Sequence, residues 1–187
     1  MKKTTKIIAL LLCAVLLVAG SVMGTLAYLT SQAEVKNTFT AGNVTITMDE
    51  AKVDEYGVPE AGAARVANNT YKLIPGHTYT KDPTIKVGAD SEDCWVFVKI
   101  ENGLGDAVSI TTENGWAALP NGYYAYTTKL SKNGTATPFK TFKFDQNADP
   151  SAYTRAEIKV TAYAIQADNF ATYELAWAAL SGQLSLQ

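Results

Sequence analysis

The sequence predicts an all-β fold, an antiparallel β-sandwich with a short C-terminal helix, preceded by a signal-peptide helix. Three observations carry this prediction. Apolar and polar residues alternate over several short stretches, which turns one face of each stretch toward a core. Asn-Gly occurs at 102–103, 114–115, 121–122 and 133–134, and this dipeptide supplies the positive φ angles that tight turns need. Both faces of Cys94–Ile100 are largely apolar, as in a central strand covered on both sides.

The chain starts with Lys2, Lys3 and Lys6 ahead of an apolar run from Ile7 to Val18. A basic segment followed by a run of this length reads as a secretory leader. Gly20, Ser21 and Gly24 interrupt the run before it reaches the roughly 20 residues that span a bilayer. Thr25-Leu26-Ala27 places small residues for cleavage between Ala27 and Tyr28; a cut after Gly24 fits the same pattern, and an uncleaved anchor is the alternative. The expected organisation is therefore a signal peptide at 1–27 and one β-domain at 28–187. Cys13 lies inside the apolar run, where it has no lipoprotein context.

Within the domain, Val44, Ile46 and Met48 alternate with Thr45 and Thr47 and predict the first strand. Ala51–Thr70 has no clear period and reads as a loop or ragged edge. Pro75-Gly76 and Asp82-Pro83 mark turns. Tyr123–Lys129 and Ala136–Phe144, joined around Ser131-Lys132-Asn133-Gly134, predict a hairpin. Ile158, Val160, Ala162 and Ala164 alternate with Glu157, Lys159, Thr161 and Tyr163 and predict the last strand. Asn169 is placed to cap a helix through about Leu180, with Phe170, Tyr173, Leu175, Trp177 and Leu180 on its apolar side. This helix is expected to cover one end of the sandwich. The C-terminal residues carry no hydrophobic tail and no Leu-Pro-x-Thr-Gly signal, so only the uncleaved leader is expected to touch a membrane.

Removing the leader leaves 13 basic residues against 18 acidic ones, and a domain of this charge has no electrostatic reason to bind nucleic acid. Cys94 is then the one cysteine left. It excludes an internal disulfide and, at the head of an apolar strand, reads as buried. His77 is the single histidine, which rules out a two-histidine metal site within one chain, and its Pro75-Gly76-His77-Thr78 context reads as structural. No residue set for catalysis or a cofactor emerges, and the chain is not expected to be an enzyme. Asp145, Asn147 and Asp149 match the start of a calcium loop, but Pro150 and Ala156 occupy the positions of its glycine and closing glutamate. Solvated loops therefore account for this segment and for Asp90-Ser91-Glu92-Asp93 better than calcium does. Tyr123, Tyr124 and Tyr126, with Trp116 nearby, read first as cross-strand pairs and second as a carbohydrate-binding or self-association face.

Leu26-Ala27-Tyr28-Leu29-Thr30 and Asn37-Thr38-Phe39-Thr40-Ala41-Gly42-Asn43-Val44 resemble the start of the TasA/camelysin family. These are exported biofilm matrix proteins of Gram-positive bacteria, processed by a dedicated accessory signal peptidase. Leu73-Ile74-Pro75-Gly76, Lys81-Asp82-Pro83, Trp95-Val96-Phe97-Val98-Lys99-Ile100 and Ala162-Tyr163-Ala164-Ile165-Gln166-Ala167 extend the similarity almost to the C-terminus. The resemblance implies a jelly-roll sandwich that self-associates into extracellular fibres, the freed N-terminal segment of one subunit completing a sheet of the next. In this chain that donor segment is 28–39, with Leu29, Val35 and Phe39 as anchors. Camelysin has been classed as a metallopeptidase, but no metal-ligand set is recognisable here, so peptidase activity is not carried over. The expectation is a secreted structural protein of the extracellular matrix. A secreted or surface binding module using the Tyr123–Tyr126 face is the alternative, and a secreted hydrolase the third reading.

Overall fold

In the computed structural model the chain divides between Thr40 and Ala41, and residues 43–184 are described. The leader, the cleavage pair Ala27 and Tyr28, and the anchors Leu29, Val35 and Phe39 lie outside the described residues. The strands are β1 (Ile46–Asp49), β2 (Thr78–Thr80), β3 (Thr84–Val87), β4 (Cys94–Asn102), β5 (Val108–Ile110), β6 (Trp116–Ala118), β7 (Tyr123–Tyr126), β8 (Thr135–Ala136), β9 (Thr141–Phe144) and β10 (Ile158–Gln166). One α-helix, α1 (Tyr173–Leu184), follows them. All described strand pairs are antiparallel, in three sheets ordered β1-β3-β8, β10-β4-β7-β6 and β2-β9-β5.

β4 is an interior strand of the four-stranded sheet, as its two apolar faces predict. Cys94, Val96 and Val98 pack with Ile85, Val87, Leu130 and Ala136, joining this sheet to β1-β3-β8. Trp95 and Phe97, pointing the other way, join Ala125, Ala167, Ala176 and Leu180 beneath the helix. A third cluster, centred on Tyr79, Phe142 and Phe144, belongs to the β2-β9-β5 sheet.

Two of the three sheets share one ladder. Thr78 faces Lys143 and Thr80 faces Thr141, while Ile85 faces Ala136 and Lys86 faces Thr135, without a change of register. Continued across the gap, that register sets Pro83 opposite Pro138. Neither has an N–H to give, so the ladder breaks there into two sheets. A sequence pattern that predicts two layers thus yields three sheets, because two prolines 55 positions apart meet face to face.

The predicted hairpin between Tyr123–Lys129 and Ala136–Phe144 does not form. β7 pairs with β6 and β4, while β8 and β9 pair with β3, β2 and β5. The working turn is the Asn-Gly at 121–122, where φ is 60° and 78° and Leu119 N–H reaches Tyr123 O at 2.8 Å. The Asn133-Gly134 turn instead sends the chain along β3, with Val87 N–H donating to Gly134 O at 2.9 Å.

The helix starts later than predicted. Asn169 sits in a left-handed turn, φ 72°, and Ala176 N–H reaches back to Thr172 O at 3.2 Å, which makes Thr172 the capping residue. The helix covers a sheet face rather than an end of the fold: Trp177 lies 5.5 Å from Phe97 and 4.8 Å from Tyr123, ring to ring. Leu175, expected on the apolar side, is 55% exposed. Among the described residues no helix is long and apolar enough to cross a membrane.

Candidate functional site

β10 is an edge strand nine residues long. Gly103 N–H donates to Glu157 O at 2.8 Å, and Ala167 N–H donates to Asp93 O at 2.7 Å. Backbone polar groups alternate in direction along an antiparallel strand, so the odd-numbered residues of β10 face β4. Ile158, Val160, Ala162, Ala164 and Gln166 therefore turn their N–H and C=O groups away from it. No described strand pairs with that side.

The first strand has a matching edge. Gly88 N–H donates to Thr45 O at 2.8 Å, which directs Thr45, Thr47 and Asp49 toward β3 and Ile46 and Met48 away from it. One position on, Glu50 and Val66 exchange two hydrogen bonds of 2.8 Å, closing that end of the edge. β1 and β10 lie beside each other. Between them Val44, Ile46 and Met48 on one side, and Val160, Ala162 and Ala164 on the other, stay half-buried over the Ile85–Val98 core. The gap opens into a cleft of about 870 Å³, lined among others by Met48, Glu50, Asn69, Tyr71, Ile158 and Val160.

The cleft has a fixed polar wall. The Ala51–Thr70 segment, read from sequence as a loop or ragged edge, is an irregular segment pinned to the proline gap. Arg65 pairs with Asp49 and reaches Asp82 Oδ2, Asp82 O and Thr84 Oγ1 at 3.0 Å each. Ala51 N–H donates to Asp82 Oδ1 at 2.6 Å. Inside this frame Glu50, 3% exposed, accepts from Lys81 Nζ at 2.7 Å and from Asn69 Nδ2 at 3.0 Å. The Tyr71 phenol is held above its ordinary pKa, first by burial and then by the charge of Glu50.

The other residues singled out by sequence take structural positions. His77 Nε2 meets Tyr56 O at 2.9 Å, and its ring lies edge-on to Tyr79. Cys94 is buried, and its thiol is pushed up to about 11, first by burial and then by Asp93. Asp145 Oδ1 accepts from Asn147 N–H at 2.6 Å, while Asp149 takes both the N–H and the hydroxyl of Ser151. These carboxylates cap turns, and among the described residues no group of three or more His, Cys, Asp or Glu side chains converges. The aromatic set is divided. Trp116, Tyr124 and Tyr126 turn toward the core between the sheets, and Tyr123 turns toward the helix. No spacing in the sequence marks Glu50, Asn69 and Lys81, which lie 19 and 12 positions apart.

Neither a family model, nor a curated protein, nor a solved structure matches this chain.

Proposed function

We propose that this chain is a secreted structural subunit of an extracellular matrix, of the TasA/camelysin kind. After cleavage near Ala27, residues 28–39 of one copy enter the β1–β10 cleft of another and polymerise it. The observation that carries this reading is the pair of strand edges, left without a partner strand among the described residues, that flank one half-buried apolar floor. An open edge is a template for an added strand.

The sequence of the segment suits such a groove. Leu29, Ser31, Ala33, Val35, Asn37 and Phe39 alternate with Thr30, Gln32, Glu34, Lys36 and Thr38. Extended, one face carries all three anchors and the other is wholly polar. Residues 29–39 would span about 36 Å, against about 30 Å for the nine residues of β10. On this reading the split sheet and the four-stranded sheet are the two layers of a jelly-roll sandwich. An accessory signal peptidase releases the segment, and the subunit turns over no external substrate and needs no cofactor.

The test compares residues 28–187 with residues 40–187 by sedimentation and electron microscopy. Filaments are expected only from the longer form, and added peptide 28–39 should bind the shorter one. Two forms that remain monomeric alike at high concentration refute the proposal.

A further inference from the structure

Glu50 holds an amine and a carboxamide across one buried carboxylate. Lys81 Nζ donates to Oε2 at 2.7 Å and Asn69 Nδ2 to Oε1 at 3.0 Å. The side chains of Glu50 and Lys81 are only 4% and 12% exposed. The orientation of the Asn69 amide is fixed from both ends: Val53 N–H donates to its Oδ1 at 3.0 Å, and its Nδ2 donates to Ala51 O at 2.8 Å. This arrangement holds the Ala51–Thr70 segment at Ala51 and Val53. It also supplies each part that amide exchange between side chains needs: a nucleophile, an electrophilic carbonyl with a donor on its oxygen, and a proton carrier touching both nitrogens.

We propose that Lys81 and Asn69 are the site of a self-formed isopeptide bond, with Glu50 as its general base and acid. The Lys81 ammonium passes a proton to Glu50, which also relieves the cost of keeping two charges out of water. The neutral Nζ attacks Asn69 Cγ, and the Val53 N–H stabilises the negative charge developing on Oδ1. Glu50, now protonated, gives its proton to Nδ2. The Cγ–Nδ2 bond breaks as the Nζ–Cγ amide forms, and the second proton on Nζ passes through Glu50 to the departing ammonia. The sum is one ammonium released, one primary amide exchanged for a secondary one and no change of oxidation state. Glu50, Asn69 and Lys81 all line the 870 Å³ cleft, which gives the ammonia a way out. The bond would tie the irregular Ala51–Thr70 segment to the broken ladder in a domain with one cysteine and hence no disulfide of its own. This inference does not depend on polymerisation.

Intact-mass spectrometry of the purified protein, referred to its measured N-terminal residue, tests it. The wild type is expected one ammonia lighter than its sequence, with peptide mapping recovering a branched peptide that joins Asn69 and Lys81. Glu50→Gln and Lys81→Arg should appear at full sequence mass. Asn69→Asp, reacting by loss of water, should reach the same final mass as the wild type, because both leave the same amide. A wild type at full mass overturns the proposal. So does an ammonia loss that persists in Lys81→Arg, which would assign it to ring closure at an asparagine. Should a variant fail to fold, the presence or absence of the branched peptide in the wild type still decides.

Discussion

Proline placed at adjacent positions of β10 separates the two sides of that strand. Ala162 turns its N–H away from β4, so Ala162→Pro removes a donor that the domain's own ladder does not use. Tyr163 faces Phe97, and Tyr163→Pro removes a ladder bond while leaving a carbonyl at fully buried Phe97 without a partner. The unsatisfied carbonyl and the lost bond together cost about 2–4 kcal/mol. For a domain of this size that is a fall in Tm of roughly 5–15 °C. Ala162→Pro should stay within about 1 kcal/mol of wild-type stability. In the proposed filament the same change would leave a carbonyl of the incoming strand unpaired, which costs about 2–3 kcal/mol, or roughly 30- to 150-fold in subunit affinity. Thermal unfolding measures the first effect and sedimentation of the processed protein the second. If Ala162→Pro folds and assembles as the wild type does, β10 is not the accepting edge. If Tyr163→Pro melts unchanged, the assignment of odd residues to β4 is wrong.

Three further outcomes follow from the packing. Leu180→Ala should cost about 2–3 kcal/mol because its side chain fills the floor under the helix, whereas exposed Leu175→Ala should change stability by less than about 0.5 kcal/mol; chemical denaturation of both variants checks this. Because its thiol is pushed up to about 11, Cys94 should stay protonated and unlabelled by a thiol reagent at pH 8 in the folded protein. Once unfolded it titrates near pH 8.5 or so and should react promptly. Gly57 adopts φ 79°, and a Cβ there would lie 2.9 Å from the Tyr79 backbone, so Gly57→Ala should lower the melting temperature through both strain and contact. A melting curve matching the wild type would contradict that close approach.

What could be read from sequence was what each short stretch states by itself. Val44–Met48 and Ile158–Ala164 alternate because each has one face on the core, and both faces of Cys94–Ile100 are largely apolar because helix and sheet cover its two sides. The Asn-Gly pairs were reliable markers of strand ends. Partner choice was not local. Asn133-Gly134 makes a turn, yet β7 before it is held by β4 and β6, with Leu130 bridged to Cys94, and the strands after it pair with β3 and β2, about 50 to 65 residues earlier. In α1, apolar residues nearly encircle the helix, so periodicity could not tell exposed Leu175 from buried Leu180. The Glu50, Asn69 and Lys81 cluster was invisible for the same reason as the proline gap: each joins positions that meet only once the long-range register is set.

The facing prolines also decide how this domain would come apart. A continuous ladder, pulled from one end, opens like a zip, each broken pair exposing the next. Here the run of pairs stops at Pro83 and Pro138, and the two stretches rest on separate apolar clusters, one around Ile85 and Val87 and the other around Tyr79 and Phe142. A tear begun at β8 reaches a step that has no backbone hydrogen bond and is spanned by the Thr84–Thr137 hydroxyl pair at 2.9 Å, and the half held by β9 must be started afresh. The gap is a firebreak, and the loop pinned across it by Arg65 and Glu50 is the strap that keeps the two halves from parting there.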